Sequence, residues 1–450
     1  MSAVIEMTEK KELTANKVLP VIKNDNDLWI SRADKNLWLG TLFCGCAVLY
    51  AARTTMPVTI VAISKDLQWS KTDSGTVLSS FFWGYCLTQV VGGYLSDRFG
   101  GEFILMCAAI GWSLFTFWTP QIIYFFKDRA SRFHFLVFTR ILMGACQGVH
   151  FPSVTSLSSN RLPELERTLF YSTASSGVHL GTIFSGSIGS FVLENYGWEI
   201  VFHLIGIMGL SWMLFVRYFV IERNRQALRA ASEESHDVAL GSKVVQRKDS
   251  VPWLALFKHP AFWAMIASHL CDSNSMYILI SWLPTYFHEN FPGTKGWVYN
   301  VVPWVICIPS SISGGWMAQQ LMLRGYSVTF VRKLMECVAQ LGRAFFLFSI
   351  AFVSSFHAAL VCMALAIACG GFHNCAVFIN PQDIAPTYAG SVFGLMNMAG
   401  AIPGFIGVYM AGYILETTGS WAAVFNSAGF VSVIGCLTFL VYDKNNISSA

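Results

Sequence analysis

The 450-residue chain is 54% hydrophobic and 15% aromatic but only 12% charged, with a mean hydropathy of +0.50. A soluble globular protein carries about 25% charged residues, so this chain has too little polar surface to coat a water-facing domain of its length, and the membrane class is expected. The net charge of +4 is small, and its placement along the chain matters more than its size.

Residues 1–35 form a polar tail of mixed charge (EMTEKKELTANK) without an apolar run after a basic start, so no cleavable signal peptide is expected. Within the tail, DNDLWI is only a loose match to an acidic dileucine sorting signal. A spanning helix needs about 20 mostly apolar residues. That ruler predicts spans at 36–63, 74–95, 101–119, 134–156, 167–193 and 197–220. A polar, cytoplasmic central loop follows at 221–258, and a second set of spans lies at 259–287, 296–321, 330–350, 355–380, 388–415 and 420–442. Residues 443–450 form a C-terminal tail, where the sequon at Asn446 should go unused. The organisation is thus an N-terminal bundle over 36–220 and a C-terminal bundle over 259–442.

Two further patterns constrain this arrangement. With the N-terminus placed in the cytoplasm, that side holds about 20 basic residues and the other about 6, Lys65, Lys71, Lys127, Arg129, Arg132 and Lys295. Both termini and the central loop are therefore expected to be cytoplasmic. The second pattern is a duplication: GGYLSDR at 92–98 is echoed by GGWMAQQ at 314–320, and VLENYGWEIVF at 192–202 by ILETTGSWAAVF at 414–425. Gly92 to Gly314 and Glu194 to Glu416 share one offset, 416 − 194 = 222. Such repeats normally enclose a site near the bilayer midplane.

Charges inside apolar spans are costly and normally face a cavity or a partner. Four stand out: Arg53, Arg140, Asp272 and Arg343. Arg53 and Arg140 lie in spans without an acidic residue, which suits a carboxylate or phosphate bound by a guanidinium fork. Snorkelling to an interface is the alternative, above all for Arg140, near the start of its span. Arg343 lies two turns from Glu336 on one face and reads as structural. His150, His179, His269 and His373 are intramembrane, and packing is the default reading for each; His150 ranks first because it shares a helix with Arg140. The aromatics of SSFFWGY (79–85), SWLP (281–284) and VPW (302–304) could stack a planar base or simply pack. Pro57, Pro284, Pro309, Pro403 and Gly404 mark expected kinks. The twelve cysteines fall mostly inside apolar stretches, with no metal spacing, and read as packing residues. No nucleotide-hydrolysing, metalloprotease or serine-nucleophile motif is present.

GGYLSDRFGG at 92–101 resembles the G-x-L-x-D-R-x-G signature of the major facilitator superfamily. The expected fold is an all-α membrane protein of twelve transmembrane helices in two pseudo-symmetric six-helix bundles. Gly93, Asp97, Arg98 and Gly100 are then candidates for conformational gating, with Asp97 and Arg98 pairing across the bundle interface in one state. The second copy has Gln319 in place of Asp97, so the charged latch is expected in the N-terminal half.

AARTTMP (51–57), the run 78–102, RILMGACQGVHFPS (140–153) and VRKLM (331–335) resemble the solute carrier 17 family of organic anion transporters over about residues 36–442. KGWVYNVVPW (295–304), NPQDIAP (380–386) and LETTGSW (415–421) look most like its nucleotide-carrying branch. The resemblance implies uptake of ATP and related nucleotides into secretory or lysosome-related vesicles, driven by the potential that a proton pump creates. It also implies that the arginines matching Arg53 and Arg140 contact the anion. Proton-coupled relatives carry an acidic residue where Gln147 stands, and glutamate carriers a histidine where Leu78 stands and a basic residue where Asp272 stands. These departures argue against glutamate or sialic acid as cargo and against obligatory proton coupling. The expected substrate-binding set is Arg53, Arg140, Tyr85, Gln147 and His150. No cofactor, metal or nucleic acid is expected, with chloride dependence left open. Another organic or inorganic anion carrier of the same family is the alternative reading.

Overall fold

The computed structural model describes residues 32–69, 71–221, 251–292, 294 and 296–442. The DNDLWI segment, most of the central loop and Asn446 lie outside the described residues. The N-terminal half comprises α1 (Arg32–Leu67), α2 (Lys71–Phe99), α3 (Gly101–Phe125), α4 (Arg129–Gly148), α5 (His150–Arg161), α6 (Glu164–Phe184), α7 (Ser190–Tyr196) and α8 (Trp198–Phe215). After a short helix α9 (Trp253–Lys258) inside the stretch read as loop, the second half holds α10 (Pro260–Asn290), α11 (Gly296–Leu323), α12 (Val328–Ser349) and α13 (Phe356–Gly370). It ends with α14 (Asn380–Ile384), α15 (Ala389–Gly400), α16 (Pro403–Thr418) and α17 (Trp421–Tyr442).

These segments form twelve antiparallel rods, because four spans are broken in the middle. The fourth span is α4 and α5, the tenth α13 and α14, and the eleventh α15 and α16, while a π-turn at Ser185–Gly189 joins α6 to α7 in the fifth. The expected kink at Pro403 is a true break, with the proline in the first turn of a new helix, where its missing N–H is harmless. Pro57 and Pro309 sit inside continuous helices. The connections are built from turn and cap residues. Gly197 and Gly419, one repeat apart, take φ of 89° and 62° before α8 and α17, a backbone that a side chain disfavours. Asp128 caps α4 by accepting from the Ser131 N–H at 2.8 Å, and hydrogen bonds from the Ser131 side chain and then its N–H hold the carboxyl below the usual range.

Among the described residues, eight helices are long and apolar enough to cross a membrane. The second, fourth, seventh and eleventh spans fall short of that measure, and each contributes polar or charged side chains to the centre of the molecule. The outer surface is apolar instead: Leu87, Phe125, Phe345 and Tyr409 are all exposed. Such a belt is unfavourable in water but is what acyl chains solvate. All twelve cysteines are free thiols.

Helix packing places the central side chains. α2 and α4 cross backbone to backbone: a methyl at Gly84 would overlap the Ile141 carbonyl, and one at Gly144 the Phe81 carbonyl. Thr88 Oγ1 donates to the Ala145 carbonyl at 2.7 Å in the same seam. This close crossing sets Phe81 and Tyr85 of α2 beside Arg140 of α4. The two halves bind each other at the end that carries the chain termini. Ser159 Oγ donates to the Pro386 carbonyl, Gln382 Nε2 to Ser158 Oγ, and Arg332 Nη1 to Thr168 Oγ1. Arg332 is fully buried and held by Asp383 at 2.7 Å.

Candidate anion site in the central cavity

A cavity of about 430 Å³ lies between the halves. Its lining runs from mid-membrane residues such as Tyr50, Tyr85 and Asn397 to Pro57, Leu78 and Ser281, toward the end away from the termini. The opposite end is sealed by the bonds just described.

On the N-terminal wall, Tyr50 and Arg53 are one helical turn apart on α1, so they share a face. Arg53 Nη1 donates to Tyr50 Oη at 3.1 Å, and Nε donates to Gln147 Oε1 at 3.2 Å. The guanidinium lies 4.4 Å from the Tyr50 ring centroid, 4.5 Å from Tyr85 and 5.0 Å from Phe81. Arg140 reaches the other side of Phe81, 5.2 Å from its centroid, and its Nη1 meets only the thioether sulfur of Met143 at 3.1 Å. Arg53 Nη2 and Arg140 Nε are buried without a hydrogen-bond partner. Among the described residues neither arginine meets a carboxylate at ion-pair distance. Ring faces orient the two guanidiniums but cancel no charge, so the wall lined by Arg53 and Arg140 carries two positive charges. Snorkelling is excluded for Arg140, which is 2% exposed at the protein centre.

The remaining candidates divide. Tyr85 lines the cavity, stacks on Phe81 at 5.7 Å and accepts from Asn397 Nδ2 at 3.0 Å across the halves. Gln147 stands one layer back: its oxygen orients Arg53 and its nitrogen donates to the Leu49 carbonyl. His150 corrects the expectation. It does not line the cavity; its ring packs behind the wall against Phe151 and Trp212, with Nε2 3.7 Å from Cys46 Sγ. Helical spacing accounts for this: Phe151, eleven residues after Arg140, shares its face and lines the cavity, and His150 beside it points away.

The gating candidates divide as well. Asp97 is buried against the other half, accepting from the N–H groups of Gly390 and Ser391 at 3.1 and 2.8 Å and from Ser391 Oγ at 2.7 Å. Gly93 lets α2 touch α15, since a methyl there would overlap the Gly390 carbonyl. Arg98 does not cross the interface as expected; it is exposed, bonded to Tyr94 Oη and laid against Phe99. Asp97 is latched to the N–H groups in the first turn of α15, where the helix dipole favours a negative charge. Gly100 takes φ of 94° in the turn to α3.

Sequence reasoning underrated the C-terminal wall. Arg343 is paired with Asp272 of α10, not with Glu336, and both line the cavity. Glu336 is held by His373 Nδ1 at 2.9 Å and by Ser268 Oγ at 2.7 Å. His269, His373, Tyr277, Trp304 and Asn397 also line the cavity. Their charges and rings were visible in the sequence, but the pairing across 71 positions between Asp272 and Arg343 was not.

The Major Facilitator Superfamily profile matches residues 41–408. The chain is 42% identical to the human protein named voltage-gated purine nucleotide uniporter SLC17A9, over 92% of this chain and 93% of that one. It is 34% identical to the chloroplastic ascorbate transporter of Arabidopsis thaliana, over 90% of this chain and 74% of that one. Among solved structures, the proton:xylose symporter XylE superposes with a TM-score of 0.68 at 15% identity, covering 90% of this chain and 95% of that one. The E. coli fucose:proton symporter FucP gives 0.61 at 14% identity, covering 91% and 100%. With its twelve rods, its repeat and its latched Asp97, the chain belongs to the major facilitator superfamily and, within it, to the solute carrier 17 family of organic anion transporters.

Proposed function

We propose that this protein carries nucleotides, ATP and its relatives, across a vesicle membrane by alternating access. The observation that carries this reading is the pair Arg53 and Arg140, two guanidiniums on one cavity wall with no acidic partner among the described residues. A phosphate chain supplies the missing charge and accepts from both forks. The aromatic and amide groups on the facing walls, Tyr85, Tyr277, Trp304 and Asn397, offer surfaces for the ribose and base. The 42% identity to a purine nucleotide uniporter over nearly the whole length supports nucleotide over another anion.

With the termini in the cytoplasm, as the basic residues indicate, the cavity faces the vesicle lumen and the Asp97 latch closes the cytoplasmic side. Uptake requires release of that latch, entry from the cytoplasm and reclosure. An inside-positive potential contributes about 2.3 kcal/mol per elementary charge per 100 mV. A multiply charged nucleotide multiplies this term, so the potential set up by a vesicular proton pump suffices without a co-transported proton. The test is uptake of labelled ATP into proteoliposomes of the purified protein, with an inside-positive potential and no pH gradient. Uptake blocked by ADP or GTP and untouched by glutamate is the expected result. Uptake competed only by acidic sugars or amino acids would sink the reading and leave another organic anion as cargo.

A further inference from the structure

The C-terminal wall contains ionisable groups that anion binding does not use. Glu336 on α12 is fully buried and His373, just after α13, is 1% exposed. They meet at 2.9 Å, through His373 Nδ1 and Glu336 Oε2. The other edge of the His373 ring, Nε2, lies 3.2 Å from His269 Nδ1, and the two rings are parallel to within 12°. His269 Nε2 is buried without a hydrogen-bond partner, and both histidines line the cavity. A chain of proton-exchanging atoms therefore links two cavity-lining imidazoles to a carboxylate deep in the C-terminal half.

The charges around this path do not balance without a proton. α10 contributes His269 and Asp272, and α12 contributes Glu336 and Arg343. Arg343 is committed to Asp272, whose carboxylate also stands 3.9 Å from His373 Nδ1. Four thiols lie near Glu336: Cys271 on α10, Cys337 on α12, Cys375 after His373 and Cys436 on α17. Two more thiols, Cys307 on α11 and Cys369 on α13, lie near Arg343. None of the thiols supplies a positive charge. With both histidines neutral, Asp272, Glu336 and Arg343 leave one negative charge in a low-dielectric interior, where an unpaired carboxylate is costly.

We propose that Glu336 and His373 share an exchangeable proton, loaded from the cavity through His269, and that its presence raises the affinity of the cavity for its anion. A proton taken up at His269 Nε2 displaces the Nδ1 proton to His373 Nε2, and His373 passes its Nδ1 proton to Glu336. Each imidazole gains one proton and loses one, and the net change is one positive charge added to the wall. Loading removes a negative charge that opposes an anionic cargo on the facing arginines. The site modulates binding; it does not make the proton a travelling partner of the cargo.

The experiment measures KM for ATP at fixed potential, at about pH 6 and about pH 8, the range in which imidazole exchanges protons, in wild type and Glu336→Gln. The amide keeps the shape and the Ser268 bond but cannot hold a variable charge. The terminal phosphate of ATP titrates in the same range, at about 6, but equally for both proteins. The wild-type KM should rise with pH by about fivefold or more relative to the variant, the lower end of ordinary coupling between two sites. Equal pH dependence in the two proteins would overturn the proposal. If Glu336→Gln does not accumulate, His269→Gln, at the cavity end of the path, is read in the same way. The proposal uses the nucleotide reading only through its cargo, and infrared pH-difference spectra of the same preparations separate the two. A carboxyl band that titrates in wild type and vanishes in Glu336→Gln supports the site even where ATP is not carried. Absence of that band refutes the site even where ATP uptake is robust.

Discussion

Replacing Arg53 by alanine removes half of the uncompensated charge on the N-terminal wall. The guanidinium is held in place by Tyr50 and Gln147 and by three ring faces, with Nη2 left for a ligand. A hydrogen bond to a charged group contributes about 1.5–3 kcal/mol, and two unit charges 4 Å apart attract by about 4 kcal/mol at an effective dielectric of 20. Allowing for overlap between these terms, the loss is about 3–4 kcal/mol, or a factor of about 10² to 10³ in uptake at low substrate. Folding should change little. The lost cation–π contacts are each about 0.5–2 kcal/mol, and removing a charge from the membrane interior returns about 2.5–3.5 kcal/mol. The assay is ATP uptake into proteoliposomes, with thermal unfolding measured with and without ATP. Arg53→Ala should keep the unliganded melting temperature and lose the shift that ATP produces, while Arg53→Lys keeps the charge, loses the fork and falls between. Uptake within about threefold of wild type, well under the tenfold that 1.4 kcal/mol represents, would refute the reasoning.

Other perturbations probe different parts of the molecule. Asp272→Asn strands Arg343 in the membrane and should destabilise by about 3–5 kcal/mol, whereas Asp272→Asn with Arg343→Gln should recover most of it in thermal unfolding. Asp97→Ala removes three hydrogen bonds from the latch, two of them to backbone N–H groups of α15. At about 1.5–3 kcal/mol for each bond to a charged group, the closed state should lose its dominance, read as a longer distance between probes at Phe99 and Thr387. His150→Ala should lower the melting temperature through lost packing against Trp212 while leaving KM for ATP within about twofold, well inside the tenfold per 1.4 kcal/mol of a lost contact. A large rise in KM for that variant would return His150 to the binding wall.

Much of the fold was legible because the bilayer acts on composition and length. An apolar run of the required length has one stable structure in hydrocarbon, and eight rods among the described residues are such runs. The 222-residue offset was legible too, and the two glycines it aligns, Gly197 and Gly419, both take positive φ at the same turn of each half. The four spans of low hydropathy each bring polar or charged side chains to the cavity, among them Arg140 and Asp272, which stood out in the sequence as charges inside spans.

The sequence by itself determined the solvent, the repeat and the presence of buried cations with no acidic neighbour in their spans, since each is a property of local composition. The tertiary structure alone decided which charge meets which partner. Arg343 and Asp272, Glu336 and His373, and Asp97 and the N–H groups of α15 are pairings between distant helices. Sharing a helix with Arg140 was not enough for His150: Phe151, eleven residues on, takes the Arg140 face, and His150 packs behind it. A membrane fixes how far a helix runs, but only packing between helices fixes which way each side chain faces.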